Sequence, residues 1–390
     1  MRIIFTKGIY GEIDEGIIYL ISAEKRVSTN QKYNYEGLKM IEDTYKIKLI
    51  SIIENENNII RSYNDYSFVS IENNHIRDVT SELYGLDDIF VDLYDLITNI
   101  IFPDIDEYYF LIKKVPPYIK TEGIQQSYFM SKEIFQKIYY KDFIFNKLND
   151  NEKFKLLYLF DIFSLIDDVK HSFFSIEYPF IHACEQFIYL HNNIYKLFKR
   201  EDRITQFENM FMGIDATIAN SNFMTSVIRI CSTLDLVTKL AYELVNVPHN
   251  FDKIYKFKSG KLYFSDIKQL EPKLCKQDNY NSSLIKNRKN YESLLYLRNN
   301  IIHNNFISSQ PCITYGYKTH EVNFNEINYA MIYLWDVGDD GKATRWGNRY
   351  KFYSQNRCLQ EYLYSEILRF YSDFKGMMKL LHEYLDNIKY

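Results

Sequence analysis

The sequence predicts a mainly α-helical protein. A strand-rich α+β N-terminal region is followed by a helical middle region and by a C-terminal helical bundle with a β-hairpin insertion. Short β-branched and aromatic runs, separated by asparagine-rich turns, occupy roughly the first 80 residues. Apolar residues then recur at helical spacing through most of the chain. A late stretch, residues 311–353, returns to a strand-like pattern.

Length and composition set the number of units. The chain has 390 residues, 46% of them hydrophobic and 25% charged, which is enough apolar material for two or three globular units. Changes of pattern divide it into residues 1–125, 126–214 and 215–390. The formal net charge of −4 gives no overall positive field, so contact with a nucleic acid would need a local basic patch.

The elements follow in chain order. Residues 45–53 and 66–72 are predicted strands because β-branched and aromatic side chains dominate them. Residues 86–100 have helical spacing, and Pro103 closes that run. Residues 108–114, YYFLIKK, are a predicted strand that two prolines end.

Consecutive helices are predicted for the middle region. Residues 154–169 and 181–198 have the clearest amphipathic spacing, and the charged residues 199–203 are a predicted boundary. In the last region, Ser221 is a predicted N-cap of a long helix, and a second long helix runs over residues 283–303. After a strand hairpin that turns at residues 339–341, a final helix covers residues 359–388.

Several functional classes lack their sequence signals. The five cysteines are scattered singly, which favours a reducing cytoplasmic setting. Charges follow the first residues too soon for a signal peptide, and no apolar run approaches the ~18 residues of a membrane span. Neither a nucleotide-phosphate loop nor a hydrolase elbow occurs.

No metal or other cofactor is predicted. The residues His182, Cys184, Glu185 and His191 share one predicted helix, but nothing supplies further ligands at a recognisable spacing. The segment from Asp336 resembles the start of a calcium loop, but Gly347 stands where a bidentate glutamate is required.

One short stretch near residue 300 carries a candidate active site. It reads LRNNIIH and contains Arg298, Asn299 and His303 at the close of the second long helix. A bare Arg–His spacing of this kind arises by chance about once in such a chain, so the context matters more than the spacing. The arginine is followed at once by asparagine, and the preceding long helix contains the segment STLDLVTKLAYEL.

With these residues the chain resembles the HEPN superfamily, the helical higher-eukaryote and prokaryote nucleotide-binding domains. The resemblance covers residues 215–390 and is greatest to the branch associated with prokaryotic antiphage defence, abortive infection and toxins. It implies a HEPN-like helical bundle, an endoribonuclease active site at Arg298, Asn299 and His303, and a homodimer that builds a composite site. Asn305 departs from the Tyr of those HEPN toxins that nucleotidyl modification silences, so that mode of control is not expected.

The residue types suit RNA cleavage without a metal. Histidine transfers protons near neutral pH. The arginine guanidinium stabilises a phosphate whose negative charge grows in the transition state. Asn299 could orient either the arginine or the histidine side chain, or a phosphate oxygen. In this chemistry the 2′-hydroxyl of the substrate attacks the adjacent phosphorus. Residues 251–303 hold eleven basic side chains against five acidic ones, a local patch for an RNA backbone. The predicted RNA-binding residues are Lys286, Arg288, Lys289, Arg345, Trp346 and Arg349.

Two other interpretations remain open. The C-terminal region could be a catalytically silent HEPN-like module that binds nucleotides, RNA or a partner protein. Alternatively, His303 could be only a helix-end cation and Asn304 a left-handed exit residue. Asp235 could hold Arg298 or could lie on the surface. The expected partners are RNA, a second copy of the chain and a phage trigger or an antitoxin, and no membrane.

Overall fold

The computed structural model describes residues 2–22, 25–53, 66–72, 75–114, 148–198, 207–210, 214–257, 260–304, 312–318, 327–336, 338, 345–346, 350–355 and 357–388. The fold is mainly helical, with an antiparallel N-terminal sheet and a helical C-terminal region, as the sequence predicts. Among the described helices, none combines the length and apolar character that crossing a bilayer requires.

The chain forms two compact units. The first consists of residues 1–84, 174–231 and 289–371, and the second of residues 85–173, 232–288 and 372–390. The sequence predicts three consecutive regions instead, and the boundary predicted near residue 125 lies outside the described residues.

Seven antiparallel strands form the sheet of the first unit, in the order β4-β3-β2-β1-β5-β6-β7. Their bounds are β1 Arg2–Phe5, β2 Tyr10–Asp14, β3 Ile17–Ser22, β4 Lys25–Lys32, β5 Leu49–Ile53, β6 Tyr66–Glu72 and β7 His75–Asp78. The strand predicted over residues 66–72 is confirmed. The strand predicted over residues 45–53 begins only at Leu49.

A helix that the sequence reasoning missed covers one face of this sheet. Helix α1, Tyr35–Tyr45, begins where the Asn34 side chain accepts a hydrogen bond from the Gly37 N–H at 2.8 Å. Leu38 and Ile41 are buried against the apolar face of the sheet. Tyr45 of the same helix also packs against this core, so the apolar positions Leu38, Ile41 and Tyr45 have the i, i+3, i+7 spacing that is typical of a helix.

Ten further helices are described. They are α2 Val79–Tyr84, α3 Asp87–Ile101, α4 Ile105–Lys114, α5 Asp150–Phe174, α6 Glu177–Phe198, α7 Ile214–Val245, α8 Tyr263–Asp266, α9 Glu271–Leu274, α10 Glu292–Asn304 and α11 Leu359–Asp386. The helices predicted over residues 86–100, 154–169, 181–198 and 359–388 are therefore confirmed.

Three local predictions are wrong. Residues 108–114 form helix α4 rather than a strand, because Asp104 and the acidic first turn begin a helix and outweigh the β-propensity of the aromatic side chains. Ser221 lies inside α7, which begins seven residues earlier at Ile214. The helix predicted from residue 283 begins at Glu292, because 3₁₀ turns occupy the preceding segment.

The late strands form two small sheets. One has the order β13-β10-β9-β8 and the other pairs β11 with β12. Their bounds are β8 Phe207–Met210, β9 Cys312–Lys318, β10 Ile327–Leu334, β11 Arg345–Trp346, β12 Tyr350–Lys351 and β13 Arg357–Cys358. Strand β10 pairs with β9 and β13, so its predicted strand pairing with the segment after residue 350 is wrong. That segment contacts the chain just after β10 instead, where the Asp336 N–H donates to the Phe352 carbonyl at 2.7 Å. The predicted turn at residues 339–341 lies outside the described residues.

Candidate functional site

Helix α10 carries the candidate catalytic residues and is held by residues of α7 and α11 that belong to the first unit. The Cys231 thiol of α7 donates to the Leu294 carbonyl at 3.8 Å. The Ser293 and Tyr362 hydroxyls are 2.7 Å apart, which ties α10 to α11. Buried apolar residues of α10, Leu294, Leu297 and Ile301, anchor its inner face. The opposite face of the helix is therefore presented outward.

Two of the three candidate residues, Asn299 and His303, lie on this outward face at the C-terminal end of α10. Asn299 and His303 are exposed, and Arg298 is half-buried. The Arg298 guanidinium donates through Nη2 to the Asn299 Oδ1 at 3.4 Å. The next residue, Asn300, turns inward and donates to the Tyr296 carbonyl at 2.8 Å. Ile302, beside the histidine, is 56% exposed.

This arrangement provides a cationic fork and an accessible imidazole at the helix end. Five helical steps rotate about 140° and advance about 7.5 Å, so Arg298 and His303 do not stack on one line of the helix. A phosphate between them would be reached by the long arginine side chain from one side and by the imidazole from the other. Asn299 accepts a hydrogen bond from the Arg298 guanidinium, and this contact would limit the orientations of that guanidinium.

The predicted RNA-binding residues differ in their availability. Lys286 and Lys289 are exposed, and the Lys286 ammonium lies 5.8 Å from the Tyr280 ring centroid. Arg288 is half-buried and donates to the Phe264 carbonyl, so its guanidinium also fastens the α8 segment. Arg345 and Trp346 form strand β11, and Arg349 lies outside the described residues.

Asp235 supports local structure of the second unit. Its Oδ1 accepts a hydrogen bond from the Tyr263 N–H at 2.8 Å, at the start of α8. The Tyr263 ring is buried, and its hydroxyl donates to the Leu284 carbonyl at 2.7 Å. The carboxylate is therefore used to position a buried tyrosine.

The four candidate metal ligands of α6 do not come together as a metal site. The His191 Nδ1 lies 3.0 Å from the Gly8 carbonyl, and complete burial lowers the pKa of this imidazole to about 4. His182 Nδ1 lies 3.8 Å from the Glu185 carboxylate, and burial raises the pKa of the Cys184 thiol. Within the described residues, no group of three or more metal-ligating side chains occurs.

A buried carboxyl group that the sequence reasoning missed begins helix α6. The Thr80 hydroxyl lies 3.3 Å and 3.4 Å from the two Glu177 oxygens, and it accepts the Phe68 N–H at 2.8 Å. Burial raises the pKa of Glu177 from 4.5 to about 7, and the charge of Asp78 adds to the rise. The partners are 97 residues apart, so no local sequence signal could have revealed the pair.

Comparison of the chain with family models, with curated proteins and with solved structures finds no match. The HEPN resemblance therefore rests on the residues of α10 and on the order of the helices around it.

Proposed function

We propose that the protein is a metal-independent endoribonuclease of the HEPN type, and that it serves as an effector in prokaryotic antiphage defence or as a toxin. The observation that carries the proposal is the exposure of His303 and Asn299 beside Arg298 at one helix end. A substrate phosphate can reach the exposed His303 and Asn299 side chains from solvent, and the Nη2 atom of Arg298 lies beside Asn299. The exposed cations Lys286 and Lys289 add sequence-independent attraction for an RNA backbone.

In the proposed reaction, the 2′-hydroxyl oxygen attacks the adjacent phosphorus and loses its proton to an imidazole. The bond from phosphorus to the 5′-oxygen breaks, and that oxygen takes a proton from a second imidazole. The products are a 2′,3′-cyclic phosphate and a 5′-hydroxyl. Arg298 stabilises the charge of the pentavalent intermediate. Because one histidine cannot readily be both base and acid, the second imidazole would be His303 of another copy.

Purified wild type, Arg298→Ala, Arg298→Lys and His303→Ala are tested on total RNA with and without EDTA. His249→Ala is the matched control because His249 is also exposed. We expect wild type and the control to cleave equally, with 5′-hydroxyl ends. We expect His303→Ala to lose about 100-fold or more of the rate, as loss of a general acid–base group does. Arg298→Lys should recover little, since lysine lacks the planar fork.

Growth and phage challenge accompany the assay, since a trigger is among the expected partners. If wild type cleaves no RNA before or after challenge, and the variants match it in growth, the ribonuclease proposal is wrong. Cleavage that stops with EDTA would indicate a metal enzyme instead. Binding of RNA without cleavage would favour a catalytically silent module.

A further inference from the structure

The N-terminal sheet has one face on which charged and aromatic side chains form two rows. Residues paired directly across antiparallel strands point to the same face. The pairings of β1 to β4 therefore place two rows side by side. The first row is Ile4, Tyr10, Ile21 and Arg26, and the second is Arg2, Glu12, Tyr19 and Ser28.

Most side chains of the two rows are at least partly accessible to solvent, whereas apolar side chains on the opposite face of the sheet are buried. On the opposite face Ile3, Ile18 and Leu20 are fully buried against α1. In the two rows, Ile4 is fully buried and the Arg26 side chain is 48% exposed. The other members are partly buried: Arg2, Tyr10, Glu12, Tyr19, Ile21 and Ser28. Apart from Ile4, the rows therefore form a surface rather than a core, the two-row face.

Two arginines lie over two tyrosine rings on the two-row face. The Arg2 guanidinium carbon is 4.3 Å from the Tyr10 ring centroid, and that of Arg26 is 4.2 Å from the Tyr19 centroid. Arg2 also lies 6.0 Å from the ring of Tyr189, an exposed residue of α6. Guanidinium planes and aromatic rings are the groups on which unpaired bases stack. The face thus offers several planar stacking groups within a few residues of one another.

Charge and hydrogen bonding also fit a nucleic acid. On the side of the two-row face, strands β1 to β4 carry three cationic side chains, Arg2, Arg26 and Lys32, and two anionic ones, Glu12 and Asp14, a small positive balance in a chain with a net charge of −4. One anion, Asp14, accepts a hydrogen bond from Arg26 at 2.9 Å. The other, Glu12, sits between the arginine–tyrosine pairs, where its carboxylate can accept from the amino group of a base.

We propose that the two-row face binds single-stranded RNA through its bases. The inference rests on the proposed function and deepens it by assigning a substrate-binding surface away from the α10 motif in sequence. Paired bases in a duplex bury their faces in the stack, so an unpaired strand is the form that this surface can read. A peptide would instead use the main chain of an edge strand or an apolar pocket.

The test measures binding of a labelled single-stranded 2′-O-methyl RNA, which cannot be cleaved by 2′-hydroxyl attack, to the full chain carrying His303→Ala. Fluorescence anisotropy gives the dissociation constant. We expect Tyr19→Leu and Arg2→Gln to weaken binding by about tenfold each, since loss of one stacking group has an effect of this size. Tyr19→Phe keeps the ring and should bind within about twofold of the parent.

Tyr109→Leu is the matched control, because Tyr109 is a 54% exposed tyrosine of the second unit. It should leave binding unchanged, and a duplex of the same sequence should compete poorly. Circular dichroism of each variant reports whether it is folded. Equal binding by Tyr19→Leu and Tyr19→Phe would overturn the proposal, as would equal competition by the duplex or absence of oligonucleotide binding. Because the catalytic histidine is removed, failure of the ribonuclease proposal leaves this result readable.

Discussion

At the residue scale, His303 meets two demands that favour the same residue type, one for a cation at a helix end and one for a proton-transfer group. A cation in the last turn of a helix is stabilised by the carbonyl ends by about 0.3–1 kcal/mol, and α10 ends at Asn304. A general acid–base group contributes about 10²- to 10⁴-fold in rate. A helix-end role would therefore change the free energy of unfolding slightly, whereas a catalytic role would change the rate greatly. Measuring both quantities on the same variants separates the two roles.

Glu177 should make stability depend on pH. Its pKa is raised to about 7 in the folded protein, so between about pH 4.5 and pH 7 the unfolded state loses the proton first. Stability therefore falls as pH rises through this window and levels off above it. Glu177→Gln removes the titration, so its free energy of unfolding relative to wild type should increase by on the order of 2 kcal/mol between about pH 5 and pH 8.

Urea unfolding of both proteins at the two pH values checks this expectation. Glu36→Gln is the control, since Glu36 is exposed on α1 and should show no such difference. The glutamine can still accept from the Thr80 hydroxyl, which preserves that contact. A variant that differs from wild type by the same free energy at both pH values would show that burial does not hold this carboxyl group protonated.

At the element scale, Gly376 allows α11 to approach the 3₁₀ turn Asp278–Ser282 closely. A Cβ at this position would clash with the Ser282 carbonyl oxygen, a main-chain atom that cannot rotate away. Gly376→Ala should therefore lower the free energy of unfolding by about 1–3 kcal/mol, although alanine is the better helix former by about 1 kcal/mol.

Gly260→Ala is the matched control, because nothing lies within 4 Å of the added methyl group. Urea unfolding should place this variant within about 0.5 kcal/mol of wild type. If Gly376→Ala were as stable as wild type, the close approach of helix and turn would not be required.

Helix α4 shows why the type of a secondary-structure element cannot always be predicted from the sequence. Its aromatic and β-branched residues suit a strand, yet Leu111 is buried on a helix whose first turn is acidic. Tyr108 packs on Phe102 with ring centroids 5.6 Å apart. Packing of this kind outweighs propensities that differ by at most about 1 kcal/mol per residue.

At the scale of the whole molecule, we expect a homodimer formed through residues 215–390, because the proposed reaction needs two imidazoles. Sedimentation equilibrium should give the mass of two chains. Ile302 is 56% exposed beside His303, so Ile302→Asp should weaken the dimer by placing a charge where a second copy would cover the helix end.

Val91→Asp is the control, since Val91 is 53% exposed and lies outside the predicted dimer region. It should leave the mass unchanged. A strictly monomeric wild type that still cleaves RNA would contradict the two-imidazole site.

Features that depend on residues close together in the chain can be predicted from the amino-acid sequence alone. Helical spacing predicted α3, α5, α6 and α11 because an apolar stripe repeats within each segment. It likewise placed Arg298, Asn299 and His303 together near a helix end, since the motif spans only six residues.

Features that depend on residues far apart in the chain are seen only in the folded protein. Thr80 meets Glu177 across 97 positions, and burial there, rather than residue type, sets the pKa. Strand register places Arg2 over Tyr10 and Arg26 over Tyr19, because a shift of one residue would turn each side chain to the other face. Such pairings depend on packing and hydrogen bonding summed over the unit, which no local window of the chain contains.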